Sequence, residues 1–129
     1  MASIRKTDTK PELTLRSALR AAKIWGWRCY KTLPGTPDLV FPRWKLAVFV
    51  DGVWWHGHPE YLPRGRRGPY WDRKIAMNKA RDKQVNRRLR KLGWRVLRMW
   101  DLDVVSNPRK AVMTVRSLLK QLGRHPRPS

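Results

Sequence analysis

Two aspartates bracket a pair of short apolar runs in this 129-residue chain: Asp38 opens Asp38-Leu39-Val40-Phe41, and Asp51 closes Leu46-Ala47-Val48-Phe49-Val50. If the runs pair, both carboxylates come to one edge of a sheet or near it, the oxygen-rich setting that hard divalent cations such as Mg²⁺ prefer. An Asp that follows a Pro also commonly serves a turn, so the two acidic strand ends carry the metal reading together. Just behind Asp51 comes Trp54-Trp55-His56-Gly57-His58. His56 is a candidate general base, because a near-neutral imidazole accepts a proton from a water attacking phosphorus. A loop histidine that merely caps backbone looks the same in sequence. His56 and His58 also have a spacing found in metal sites, but zinc would need Glu60 and Asp82 to complete its ligands. In an extended stretch Trp54 and Trp55 point to opposite sides, which leaves one to stack on bases or wedge between base pairs, unless both belong to the core.

The charge balance names a partner. Thirty Lys and Arg stand against nine Asp and Glu, a net charge of +21. That excess is costly in self-repulsion unless a polyanion neutralises it, and nucleic acid is the obvious one, since contacts to phosphates release counterions. A solvated surface or attraction to anionic lipid are the alternatives. Membrane binding normally brings a bulky apolar helix face or a lipidation site, and neither is obvious. No run approaches the roughly 20 apolar residues of a membrane span, and the first residues lack the apolar segment of a secretory signal, so a soluble, cytoplasmic protein is expected. Cys29, the single cysteine, forms no internal disulfide and no thiolate cluster, and is expected to pack in the core.

The elements that must position these residues follow from periodicity. The length suits one domain over residues 1–129, with a short arm before residue 9 and a basic, disordered tail over 124–129. Thr9-Lys10-Pro11-Glu12 is a capping-box pattern and predicts a helix from Lys10 to about Lys23. Its stripe, Glu12, Leu15, Leu19 and Ala22, ends in a carboxylate that points inward. Trp27 to Tyr30 reads as a short strand, Leu33 to Pro37 as a turn, and the runs at 38–41 and 46–50 as a hairpin. The stretch from Val53 to Tyr70 reads as a long loop, a length that in compact domains is usually functional or disordered. Next, Trp71, Ile75, Asn78, Asp82, Val85, Leu89 and Leu92 form one helical stripe opposite a basic face. Asn78 and Asp82 interrupt that stripe, and buried polar groups must be bonded; a structural hydrogen bond and a part in the site are both open. Gly93 ends this helix, Trp94 to Trp100 reads as a strand, and Asn107-Pro108 opens a last helix to Leu122. The order α-β-β-β-α-β-α predicts an α/β fold with a central mixed sheet between helices.

Five ordered blocks, Asp8-Thr9-Lys10-Pro11-Glu12, Pro34-Gly35-Thr36-Pro37-Asp38, Val48-Phe49-Val50-Asp51-Gly52, Trp55-His56-Gly57-His58-Pro59 and Gly93-Trp94-Arg95-Val96-Leu97, together resemble the very-short-patch repair endonucleases of the PD-(D/E)XK nuclease superfamily. The resemblance spans about Asp8 to Leu102. It implies a restriction-endonuclease-like fold and Mg²⁺-dependent (or Mn²⁺-dependent) nicking of one strand of double-stranded DNA beside a T·G mismatch, leaving 5′-phosphate and 3′-hydroxyl ends. It also implies roles: Asp38 as metal-binding aspartate, Val50 as the residue offering its carbonyl to the metal, and Glu12 as support for the cation's water shell. His56 matches the histidine that activates water, and Trp54 and Trp55 match an aromatic pair that inserts beside the mismatch. Arg64, Arg66 and Arg67 of the loop and Lys74, Asn78, Lys79 and Arg81 of the long helix are the expected DNA contacts, positioning backbone rather than reading bases.

Three departures accompany the match. Asp51 stands where well-known members carry a second histidine, and is either a further metal ligand or a residue that alters the rate. Of the family's structural zinc ligands only His58 and Asp82 are matched, Glu60 and Leu102 replacing the cysteines, so no tightly bound zinc is expected. The N-terminal arm is shorter than the one that inserts opposite the aromatic pair. Related nucleases of other lesions, of modified bases or of foreign DNA, and an inactive DNA-binding module, are the competing readings; a monomer is expected.

Overall fold

The computed structural model describes residues 9–29, 32–53 and 68–123. Thr9, in extended backbone, caps helix α1 (Lys10–Ala21), and its N–H donates to Glu12 Oε1 at 3.2 Å, so the capping signal is realised. The helix stops two residues before Lys23. Ile24 N–H reaches back to the Leu19 carbonyl at 2.9 Å and Lys23 N–H to that of Arg20 at 3.0 Å, a Schellman closure with Lys23 left-handed at φ 59°.

Strands β1 (Leu39–Phe41) and β2 (Leu46–Asp51) form the expected hairpin, joined by a 3₁₀ turn over Pro42–Trp44 and by left-handed Lys45. They pair antiparallel with Leu39 opposite Val48. Helix α2 (Pro69–Lys91) then carries the chain to β3 (Arg95–Trp100), which pairs parallel to β2 from Leu46 opposite Arg95 to Asp51 opposite Trp100. Among the described residues the result is a three-stranded mixed sheet in the order β1-β2-β3, flanked by helices. Two expectations fail beside it. Of the Trp27–Tyr30 segment, the described residues 27–29 form a single bridge, Arg28 to Val40, rather than a strand, and Gly26 at φ +93° turns the chain just before them. Cys29, next to that bridge, is exposed rather than core.

A short helix α3 (Asp101–Ser106) directly follows β3 and was not expected; six residues are too few to show a helical period. Helix α4 (Pro108–Gly123) starts where Asn107-Pro108 suggested, with the Asn107 side chain accepting the Lys110 N–H at 3.2 Å. Strand alternation sends Leu39, Phe41, Leu46 and Val48 to one side, against Leu15 and Leu19 of α1, Val104 of α3, and Val112 and Val115 of α4. Val40, Ala47 and Phe49 go to the other side with Leu89 of α2. The α2 stripe is inward as read from Trp71 to Leu89, but Leu92, past the last turn, is 54% exposed. Among the described residues no helix is long and apolar enough to cross a membrane.

Candidate active site

The turn that delivers Asp38 is held from outside. Thr36 N–H bonds the Leu33 carbonyl at 3.0 Å, and Gly35 and Thr36 both have positive φ, 76° and 47°. A Cβ on Gly35 would lie 2.5 Å from Val85 Cγ1, so only glycine lets the turn sit this close to α2. Pro37 is fully buried behind it.

Asp38 therefore emerges at a fixed point, where its Oδ2 accepts the Val50 N–H at 2.7 Å across the hairpin. Glu12, 4% exposed, enters from α1 and hydrogen-bonds the Asp38 carboxyl, while Arg16, one turn along, lies 3.5 Å from Glu12 Oε1. Asp51, 8% exposed, closes β2 at the same end of the sheet. Burial, the hydrogen bond to Glu12 and the negative charges of Glu12 and Asp51 push the Asp38 pKa up to about 8, against the pull of the Val50 N–H. A cation at this edge would relieve that repulsion.

Glu12, Asp38 and the adjacent Val50 and Asp51, from three separate stretches of the sequence, are thus brought to one edge. Their donors are hard oxygens, the kind Mg²⁺ takes. Among the described residues no three His, Cys, Asp or Glu side chains are grouped so that they could together hold a metal ion. That is compatible with Mg²⁺, which keeps several waters and uses only one or two carboxylates.

Behind Asp51 the chain is fastened by Asp101, whose Oδ1 accepts the N–H groups of Val53 at 3.3 Å and Leu102 at 2.7 Å. Trp54, Trp55, His56, His58, Glu60, Arg64, Arg66 and Arg67 lie outside the described residues. On α2, Lys74, Lys79 and Arg81 are exposed, and Asn78 and Asp82 half-buried. A cleft of about 280 Å³ puts Lys79 and Asp82 with Asp51, Lys83, Arg98, Met99 and Trp100. Sequence reasoning missed two arginines. Arg16 was detectable as the inward neighbour one turn from Glu12, whereas Arg98, which grips Asp51 at 3.0 Å, lies 47 residues from it and gives no local signal.

Residues 1–62 match the family model of the DNA mismatch endonuclease Vsr. The chain is 37% identical over 122 residues to the type II nicking enzyme V.HpaIIP of Haemophilus parainfluenzae, covering 92% of this chain and 86% of that one. It is 41% identical over 108 residues to the type II nicking enzyme V.XorIIP of Xanthomonas oryzae pv. oryzae, covering 81% and 78%. To the DNA mismatch endonuclease Vsr of Escherichia coli K12 it is 36% identical over 103 residues, covering 78% and 66%. With relatives at this identity over most of both chains, and with the acidic edge in place, the protein belongs to the Vsr family of DNA endonucleases.

Proposed function

We propose that this endonuclease nicks one strand of duplex DNA at or near T·G mismatches, as a monomer, on a restriction-endonuclease-like frame made by α1, the sheet and α2. The observation that carries the reading is the buried carboxylate edge, with Asp38 locked to the Val50 N–H at 2.7 Å and crowded by Glu12 and Asp51. Like charges crowded in a buried site are costly unless a positive charge joins them, and carboxylate and carbonyl oxygens are the donors Mg²⁺ takes. Asp38, the Val50 carbonyl and Asp51 would hold Mg²⁺ or Mn²⁺, with Glu12 orienting water at its border. When bound, the cation supplies positive charge to the phosphate as negative charge builds on it.

The rest is the work of the chain. His56 takes the proton from the attacking water. Lys74, Lys79 and Arg81 on the exposed side of α2, Asn78 beside them, and Arg64, Arg66 and Arg67, which precede α2 in the sequence, hold the backbone so that the scissile phosphate meets the acidic edge. Trp54 and Trp55 unstack the duplex at the lesion, which supplies discrimination that phosphate contacts lack.

Strand-resolved cleavage of labelled duplexes with Mg²⁺ or EDTA tests this reading, with T·G compared against matched pairs and other lesions. Metal-dependent nicking confined to T·G is expected. Nicking at another lesion or modified base would move the enzyme to a different substrate, and binding with no cleavage of any duplex would overturn the catalytic reading. Replacing Trp54 and Trp55 by Ala is expected to cut the preference for mismatched over paired DNA by about tenfold or more, by the stacking lost. Equal losses on both duplexes would refute the inserting role.

A further inference from the structure

Arg98 interrupts the apolar run of β3 on the side that faces α2. Its Nε donates to Asn86 Oδ1 at 2.9 Å, and its Nη1 donates to both oxygens of Asp51, at 3.0 and 3.2 Å. The same Nη1 lies 3.6 Å from Asp82 Oδ1. The guanidinium sits over Phe49, 4.1 Å from the ring centroid, and Phe49 is its register partner on β2. Asp82 and Asn86 are one helical turn apart, so a single side chain ties one turn of α2 to the end of β2. The side chain is 19% exposed, which keeps these contacts from being surface pairings of little consequence. Only the planar fork of arginine serves Asn86 and Asp51 at once while stacking on a ring; a lysine ammonium is a point charge.

We propose that Arg98 is a positioning residue for the nicking reaction: an internal cation that orients Asp51 and offsets its charge, so that it sets how strongly the Glu12, Asp38 and Asp51 edge attracts a divalent cation. The proposal rests on reading that edge as the metal site. It makes charge and fork separable. Arg98→Met removes both, leaving the edge more negative and taking from Asp51 the two hydrogen bonds of the guanidinium. Arg98→Lys keeps the charge and loses the fork.

The test is calorimetric titration of Mn²⁺ into the full-length protein without DNA, beside nicking rates over a Mg²⁺ series, with thermal melts to show that each variant folds. Arg98→Met is expected to bind Mn²⁺ about three- to tenfold more tightly, since a nearby positive charge has gone, yet to nick at least tenfold more slowly at saturating Mg²⁺. Arg98→Lys is expected to keep Mn²⁺ affinity within about twofold while losing a similar share of rate. A purely structural arginine would lower rate with Mn²⁺ affinity unchanged or weaker, and that outcome in Arg98→Met overturns the proposal. Should Arg98→Met not fold, an Arg98→Lys protein with wild-type rate overturns it equally. If wild-type protein binds Mn²⁺ no better than Asp38→Asn, the metal reading and this proposal fall together. If it binds Mn²⁺ through Asp38 but cuts no duplex, the functional reading falls and the Mn²⁺ titrations alone decide the proposal.

Discussion

Under α1, α3 and α4 the sheet carries a continuous apolar core, with Leu15, Leu19, Phe41, Leu46, Val48, Val104 and Val115 all at 1% exposure or less. Under α2 the buried apolar set is Val40, Ala47, Phe49 and Leu89, and toward the strand ends it gives way to Arg98, Asp51, Asp82 and Asn86. The first face stabilises, because buried apolar area contributes roughly 25 cal/mol per Å² with little demand on geometry. The second face contributes less net stability, because desolvating charges offsets much of their attraction, but it fixes directions. Stability and chemistry are thereby separable by mutation.

The sharpest break is at the acid edge. Asp38→Ala is expected to lower nicking by at least about a hundredfold, the scale seen when one electrostatic contact to a transition state is lost, with DNA affinity preserved because the change also removes negative charge near phosphate. Wild-type cleavage by this variant in a gel assay would refute the site.

On the apolar face, Leu19→Ala is expected to cost about 3–5 kcal/mol in urea unfolding, because the side chain is wholly buried and leaves a cavity. At temperatures where the variant stays folded its nicking rate is expected to remain near wild type. A loss of rate in the folded variant would mean the two faces are coupled after all.

Gly35→Ala probes the boundary between them. The added methyl meets Val85 and the backbone must keep φ +76°, so a loss of roughly 1–3 kcal/mol is expected, from strain plus overpacking. Because the same turn aims Asp38, rate should fall in the folded fraction too, which distinguishes this position from Leu19 in a paired melt and nicking assay.

The acid edge can also be probed through pH dependence. Asp38 has its folded-state pKa raised from 3.8 to about 8, so the folded protein holds this proton more tightly than the unfolded chain does. Its contribution to stability is complete below about pH 4 and is lost as pH rises through 8. In EDTA, the difference in urea midpoint between wild type and Asp38→Asn should therefore move against wild type from pH 5 to pH 8. A pH-independent difference would refute the raised pKa.

How much of this was legible depended on the range of the interaction. The two helix ends show it: both α1 and α2 close with the same backbone bonds, Ile24 to Leu19 and Trp94 to Leu89, each at 2.9 Å. The second was readable because Gly93 marks the left-handed position, while the first puts Lys23 there and gives no sign. Glu12 was readable as an inward acid from its place on a stripe, and the hairpin ends from two apolar runs. Whether Asp51 faces a cation or an arginine was not readable, since Arg98 meets it only through β-pairing across α2. The Trp and His motif at 54–58 falls outside the described residues.

The parallel pairing of β2 with β3 also orders events in time. Glu12, Asp38 and Asp51 all precede α2 in the chain, and Arg98 follows it. During synthesis the helix and hairpin that bear the acids can form from local contacts, but the strand that steadies Asp51 must await a long loop closure, the slower kind of step in folding. A chain that stops short of β3 bears the acids without the residue that steadies one of them. On the proposed reading the acidic edge is finished only when β3 pairs with β2, which ties the ability to cut DNA to the arrival of that strand.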